Sequence, residues 1–543
     1  MSNDEKDITA KATPEEDTIE SAPEEISPEP TPEEDAPEAA PEEVTPEPIP
    51  VERTVLEKLQ EVVGEKGVSD SELERIIYSG DPSALPQYHY RWKGKYLADY
   101  ALRVENVSQI EGVLKIAREH KIPVTPRGGA SSCMCSSSPT RGGITLDIKP
   151  MNKVLEINKD EMFVRVEPGV TFHSLEDALE RQDLTFGIYP SSAKSAVIGG
   201  WIGTGGRAGI GTPYYGGLKD HIISLSVIGG NGTIEILEGK DIDLFLNSYG
   251  ILGVIFEIKL KIHKIVREYK AFSYGFKTIK GLCNALVKIT TLDAKPVYLK
   301  IADGELQKYS NPLEIGKYVL SVTYVDENSN VPVEDLMSLT VEYEGVVNLS
   351  SVPYEDLKAI TVEYDGVYIS DEFAMKEWDL RYDAEFNPKE HVETLMFQEY
   401  WVPVEKVFEM LSRYEKYRRT HKIPALWFGM LGTQNEMRLE LMAMIDAEEY
   451  LKFISSKGIL HKMMKKAIKI GGAPYTIGLQ NSIYMSRAYP ERMKEMRDAK
   501  EKWDPSGIMN PDRVTSCLTS FRRIDILFLL AASFRRLSKF VGE

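Results

Sequence analysis

Two stretches built almost entirely from small residues decide what this chain can fold into. The first is Pro126-Arg127-Gly128-Gly129-Ala130-Ser131-Ser132, reached directly from the apolar run Ile122-Pro123-Val124-Thr125. The second opens at Pro190-Ser191-Ser192 and continues through Ser195-Ala196-Val197-Ile198-Gly199-Gly200-Trp201-Ile202-Gly203-Thr204-Gly205-Gly206. Glycine lets backbone N–H groups approach an anion closely, and successive N–H groups in such a turn make a concave anion site. Taken alone, Gly128-Gly129 also reads as an ordinary tight turn. The second stretch is harder to explain that way, because a surface loop has no use for Val197 and Ile198 in its middle. Its composition suits backbone laid flat against a large planar ligand. Neither stretch is a G-x-G-x-x-G run between a strand and a helix, so a Rossmann domain is not supported.

Periodicity places these stretches among alternating helices and strands. Val55, Leu56, Leu59, Val62 and Val63 recur at helical spacing, and Ser71-Glu72 opens a second helix ending near Gly80. Ile110, Val113, Leu114 and Ala117 share one face of a helix between Val107 and Lys121. Strands are predicted at 122–125, 144–148, 163–166, 222–228 and 254–262, and a helix at 171–181. The interleaving argues for α+β or α/β architecture. Between 270 and 500 strands mix with longer helices. A duplication lies there: Val331–Val346 recurs as Val352–Val367, each copy reading as a helical turn followed by a strand. Two copies are too few for a solenoid and indicate a local tandem insertion.

Charge is distributed unevenly. The net charge is −19, and residues 1–50 carry 17 Asp and Glu against 2 Lys, with ten prolines in repeated Pro-Glu-Glu units. Such a segment cannot bury enough apolar surface to offset chain entropy and is predicted to be disordered. Residues 51–543 are nearly balanced, with 63 basic and 67 acidic side chains, and carry no clustered basic footprint for nucleic acid. Four cysteines without a CxxC run make an iron–sulfur cluster or structural zinc an unsupported reading. The N-terminus lacks a signal pattern, so cytoplasmic residence is the expectation. No apolar run is long enough to span a bilayer. Ile526–Ala532 is apolar and flanked by Arg522, Arg523, Arg535, Arg536 and Lys539. It fits an interfacial helix touching a membrane peripherally, a helix packed on the protein's own surface, or a subunit contact.

The order of the pieces carries a resemblance. The 122–131 run is followed by Gly142-Gly143-Ile144-Thr145-Leu146-Asp147, then Val166-Glu167-Pro168-Gly169-Val170, then Ile198-Gly199-Gly200. Next come Tyr215-Gly216 with Asp220, Gly250-Ile251-Leu252-Gly253-Val254-Ile255, and Asp504-Pro505-Ser506-Gly507-Ile508-Met509-Asn510-Pro511. Over roughly 55–515 the chain resembles the FAD-linked oxidase family, the vanillyl-alcohol-oxidase or PCMH-type flavoproteins that include D-lactate and glycolate dehydrogenases. The resemblance implies an α+β fold: a PCMH-type FAD-binding domain of two α+β subdomains at 83–268, and a mixed α/β substrate or cap domain at 269–515 that returns to the flavin. A helical segment at 51–82 and tails at 1–50 and 516–543 complete the division. It further implies that Arg127, Gly128, Gly129, Ala130, Ser131 and Ser132 hold the FAD pyrophosphate. Pro190, Ser191, Ser192, Ala196, Gly199, Gly200 and Thr204 would line the flavin and its ribityl chain. Ile255 would lie at the adenine-ribose side unless it is ordinary strand core, and Asn510 would touch flavin or cap its own loop. No histidine lies in 122–172 to carry a covalent link there, and Cys133 and Cys135 are read as bystanders, so FAD is expected to be non-covalent.

The substrate half departs from the family. Its Gly-His-x-Gly-Asp-Gly-Asn-x-His motif corresponds to Gly429-Met430-Leu431-Gly432-Thr433-Gln434-Asn435-Glu436-Met437, with methionine at both histidine positions. Its Gly-Glu-His-Gly motif falls near Pro474-Tyr475-Thr476-Ile477-Gly478. A thioether neither binds a hard divalent metal well nor takes a proton, so no catalytic metal is expected. Tyr400, Trp401, His421, Trp427, Asn435, Arg438, Tyr484 and Arg487 lie in segments that border the flavin in relatives, with Arg381 and His391 as weaker candidates. Arg438 or Arg487 would clamp a substrate carboxylate, and Tyr484 would serve the reacting oxygen. For each residue alone, surface arginine or core tyrosine is the plainer reading. The expectation is an FAD-dependent dehydrogenase of a small hydroxy acid or related alcohol, passing electrons to a quinone or protein acceptor. The alternatives are a flavin transferase like the alkyl-dihydroxyacetone-phosphate synthases, or a non-catalytic flavin-binding subunit.

Overall fold

The computed structural model describes residues 53–84, 96–313, 315–326, 352–382, 387–392, 394–421, 424–433, 435–445, 449–517 and 523. The acidic segment, the first copy of the duplication and the apolar run at 526–532 lie outside the described residues.

The first sheet holds Val68–Ser69 (β1), Tyr100–Arg103 (β2), Val124–Arg127 (β3) and Ile144–Asp147 (β4), ordered β1-β2-β4-β3. β2, β4 and β3 run parallel. Parallel pairing requires a crossover, and the helix Val107–His120 supplies it. Asn106 caps that helix through the Gln109 N–H at 3.0 Å, and Lys121 ends it at φ 54°, turning the chain into β3. β3 starts two residues later than periodicity predicts, because the Ile122 N–H bonds back to Ala117 O at 2.8 Å and Pro123 has no N–H to donate. Ile110, Val113, Leu114 and Ala117 pack on β2 and β4, as their spacing predicts.

The second sheet is antiparallel. Val154–Asn158 (β5), Phe163–Val166 (β6), Leu184–Thr185 (β7), Ile222–Gly229 (β8), Ile234–Glu238 (β9), Gly253–Lys261 (β10) and His263–Lys264 (β11) follow in sequence. They pair as β5-β6-β10-β8-β9, with β7 and β11 as a separate pair. The helices Phe172–Glu180 and Ile198–Thr204 bury Phe172, Leu175, Leu179, Ile198 and Ile202 in the core beside this sheet.

The third sheet has eight antiparallel strands: Tyr269–Phe276 (β12), Tyr298–Asp303 (β13), Tyr318–Val325 (β14), Gly366–Tyr368 (β15), Thr394–Pro403 (β16), Ala425–Leu431 (β17), Glu436–Ile445 (β18) and Ala473–Pro474 (β19). Their order is β15-β12-β14-β13-β17-β18-β16-β19. Alternation along each strand divides its two faces. Met396, Tyr400, Trp427, Leu439 and Leu441 pack under the helices Ile279–Ile289, Val407–His421 and Tyr450–Lys469. Leu395, Phe397, Phe428 and Met442 face the other way and pack on Met134, just past the glycine turn. In the second duplicate copy the helix runs on to Glu363, so the predicted strand shrinks to Gly366–Tyr368.

Finally the chain returns to the first sheet. Val124 N–H donates to Ile508 O at 2.8 Å and Asn510 N–H donates to Val124 O at 2.8 Å, so 508–510 extend the edge of β3.

Candidate active site

β3 ends at Arg127 and delivers the chain into the glycine turn. A Cβ on Gly129 would lie 2.2 Å from Ser195 O, and one on Gly128 would lie 2.6 Å from Val197 Cγ2. The two small-residue stretches therefore pack on each other, and glycine is required by the approach. Ala130 sits at φ 51°, an uncommon conformation for a residue with a Cβ and one that concentrates at functional sites. Among the described residues, no group accepts a hydrogen bond from the backbone N–H groups of Gly128, Gly129, Ala130, Ser131 or Ser132. All five residues line one cavity. A run of N–H groups left for a ligand is the donor set that a diphosphate needs. Gly203 lines the same cavity, and a Cβ there would meet nothing within 4 Å. These residues fit FAD: the turn would hold the diphosphate, and the 190–204 stretch would lie against the ring and ribityl chain.

Of the residues that the sequence assigns to the cofactor, all but Asn510 line this cavity. Ile255 both lines it and belongs to the core. Asn510 stands behind the wall. Its Nδ2 donates to the carbonyl of Tyr249, a lining residue, at 2.5 Å, and its Oδ1 accepts from Arg513 at 2.8 Å. Arg513 is 1% exposed and also donates to Cys135 O at 3.0 Å and to Ser138 O. Burial pushes its guanidinium down to about 10. The return segment thus braces the loop that follows the glycine turn. Cys133 lines the cavity. Cys135 is buried beside it, and burial pushes its thiol up to about 11.

β16 and β18 supply another part of the cavity wall. Phe397, Glu399, Arg438 and Glu440 line the cavity together with Tyr475 and Thr476. Glu399 and Glu440 stand directly across the strand pair, an arrangement in which like charges repel. Arg438 sits between them, donating from one nitrogen to Glu399 at 2.7 Å and to Glu440 at 2.6 Å. Its guanidinium also lies 4.8 Å from the Tyr475 ring. Two carboxylates thus share one guanidinium nitrogen on this wall.

The other predicted catalytic residues are not brought here. Tyr484 is buried on the helix side of the third sheet, with its hydroxyl bonded to His461 Nδ1. Arg487 is exposed on the short helix Met485–Ala488. Tyr400 and Trp427 face the helices, bonding Leu460 O at 3.1 Å and Glu415 Oε1 at 3.3 Å. Trp401 carries Arg207 over its ring at 5.0 Å, Asn435 turns the β17–β18 hairpin at φ 56°, and His421 ends a helix. Arg381 is held between Trp378 and Tyr382, and His391 lies beside Tyr309. Met430 and Met437, at the family's histidine positions, are buried in two apolar cores. The sequence reading missed Glu399 and Glu440. A signal was present: each is a carboxylate inside a strand that is otherwise largely apolar, at a spacing that puts it on the face of Phe397 and Arg438.

The fold and the turn define a flavin-binding enzyme of the type that pairs a dinucleotide-binding half with a β-sheet cap. Residues 98–238 match the family described as FAD binding domain, and residues 274–514 match the FAD linked oxidases, C-terminal domain. The chain is 26% identical over 482 residues to glycolate oxidase subunit GlcD of Bacillus subtilis, covering 85% of this chain and 97% of that protein. It is 25% identical over 425 residues to a D-lactate dehydrogenase of Archaeoglobus fulgidus, covering 76% of this chain and 90% of the relative. A solved alkyldihydroxyacetonephosphate synthase superposes with a TM-score of 0.66 at 18% identity over 84% of each chain. The chain belongs to the FAD-linked oxidase family and is an FAD-dependent oxidoreductase. Bound FAD supplies a two-electron acceptor.

Proposed function

We propose that this enzyme dehydrogenates a carbon bearing a hydroxyl group, in a small hydroxy acid or related alcohol, and passes the electrons to a quinone or a protein acceptor. The observation that carries the reading is the shape of one cavity. It is lined both by a turn of five N–H groups and by the Glu399–Arg438–Glu440 group on the cap strands. A substrate between them meets cofactor on one side and proton acceptors on the other, which is what loss of a C–H electron pair together with an O–H proton requires. The apolar sides, Phe397 and Tyr475, limit water around the reacting carbon.

FAD is held without a covalent bond in this reading. Among the described residues no histidine lines the cavity; of the two cysteines past the turn, Cys135 is a buried, poorly ionised thiol, and Cys133, which lines the cavity, is taken as a bystander. Likeness to the alkyldihydroxyacetonephosphate synthase supports a second reading, group transfer with no net redox change. Anaerobic mixing with a panel of hydroxy acids and alcohols separates the two. Bleaching of the flavin absorbance by a member of the panel is the expected result. A flavin that no hydroxyl compound reduces would refute dehydrogenation and favour the transferase. Acid precipitation is expected to leave the yellow colour in the supernatant.

A further inference from the structure

Given dehydrogenation, on which this assignment rests, the cap wall discriminates between the two substrate types that the reaction admits. β16 and β18 set Glu399 directly opposite Glu440, and both side chains line the cavity. Arg438, the cation on this wall, gives the same guanidinium nitrogen to both. Arg127, the other arginine lining the cavity, donates to Gly80 O at 2.6 Å and Ser137 Oγ at 3.2 Å and lies over the Tyr78 ring, facing the N-terminal helices. A hydroxy acid would have to bring a third carboxylate against a wall that already holds two, in a place where little water screens them. An uncharged hydroxyl meets the opposite situation: a carboxylate oxygen accepts its hydrogen. Phe397 and Tyr475 flank that point with apolar surface.

We propose that the substrate presents an uncharged secondary or primary alcohol, that Glu399 takes its O–H proton, and that Glu399 and Glu440 together exclude a free carboxylate. Glu399 is chosen because its side chain is 11% exposed against 3% for Glu440. The balance closes. The C–H bond breaks with its electron pair and hydrogen leaving to the flavin, the O–H proton goes to the Glu399 carboxylate, and C=O forms. The alcohol is oxidised by two electrons and the cofactor is reduced by two. Arg438 is a positioning residue: its Nη2 holds the two carboxylates together.

The test uses matched pairs on the FAD-loaded protein: 1-phenylethanol against mandelate, and 2-butanol against 2-hydroxybutyrate. The alcohol is expected to bleach the flavin at least tenfold faster than the acid. A second readout needs no turnover. Acetophenone and phenylglyoxylate are titrated into the oxidised protein, and the flavin spectrum reports binding. The ketone is expected to bind at least tenfold more tightly than the keto acid. Glu399→Gln, which keeps shape and loses charge, is expected to slow bleaching by about 10²- to 10⁴-fold. It is also expected to narrow the difference between ketone and keto acid by about tenfold, as is Glu440→Gln. Bleaching by the hydroxy acids alone would keep the dehydrogenase reading and overturn this one. No bleaching by either member would defeat the dehydrogenase reading. The titration would still decide the charge preference, and a tighter keto acid, or no response to either ketone, overturns it.

Discussion

Replacing Gly129 with alanine adds one carbon atom where the two small-residue stretches touch. That carbon would sit 2.2 Å from the backbone oxygen of Ser195, against an ordinary contact of 3.4 Å or more. Ser195 cannot simply swing away, because its N–H donates to Ser192 O at 2.9 Å. The turn must open by about 1 Å, the amount that takes an N–H···O bond out of its working range. If two of the five N–H groups lose a charged oxygen, the loss is roughly 3–6 kcal/mol, taking about 1.5–3 kcal/mol for each bond to a charged group. That corresponds to FAD binding weakened by roughly 10²- to 10⁴-fold. The assay is titration of the flavin-stripped protein with FAD, read by quenching of flavin fluorescence. Gly203→Ala is the control for fold. Its Cβ meets nothing within 4 Å, and alanine favours the helix Ile198–Thr204 by about 1 kcal/mol over glycine. The stripped Gly203→Ala protein should unfold no earlier than the original while holding FAD less tightly. A Gly129→Ala protein that binds FAD within threefold of the original would show that the turn does not grip the diphosphate.

Two further outcomes follow from buried charged groups. Burial pushes the Glu176 carboxyl from 4.5 up to about 7, although it accepts from Thr185 Oγ1 at 2.7 Å and Phe186 N at 2.9 Å. The folded form then holds a proton that the unfolded chain has lost, so stability from this group is present below pH 4.5 and drains away as pH rises through 7. The loss is on the order of 3 kcal/mol. Denaturant titrations at pH 5 and pH 8 should show it, and Glu176→Gln should flatten the difference; an unchanged difference would refute it. Arg513→Met leaves the carbonyls of Cys135 and Ser138 and the amide oxygen of Asn510 without this donor. It should cost at least about 3 kcal/mol of stability and lower the flavin-to-protein ratio of the isolated enzyme. Full flavin content at unchanged stability would argue against the bracing role.

The cofactor half was legible in the sequence because its determinants are local. A strand running into Gly128-Gly129, and Val197-Ile198 set among glycines, each carry their own instruction for backbone path, and the fourteen-residue lining they predict is found around one cavity. The cap wall was not legible. Glu399 and Glu440 are 41 positions apart, and only the register of β16 on β18 makes them neighbours. Read singly, Arg438 invites the role of carboxylate clamp; beside its actual partners it is already committed to two carboxylates. Tyr484 failed to reach the cavity for a related reason. Nothing in its local sequence says which face of the third sheet its segment covers, and tertiary packing sets it against His461. Arg513 gave no signal at all, since a charged residue near the end of a long chain reads as solvated until its four acceptors are seen.

The edge of β3 is completed by residues that are translated some 380 positions later, through the bonds between Val124 and the 508–510 segment. A growing polypeptide on the ribosome therefore carries an unfinished nucleotide pocket for most of its synthesis. Loading with FAD becomes a late event in biogenesis, postponed until Arg513 has emerged. A fragment halted upstream of that point would come away colourless even though every residue of the glycine turn had already been made.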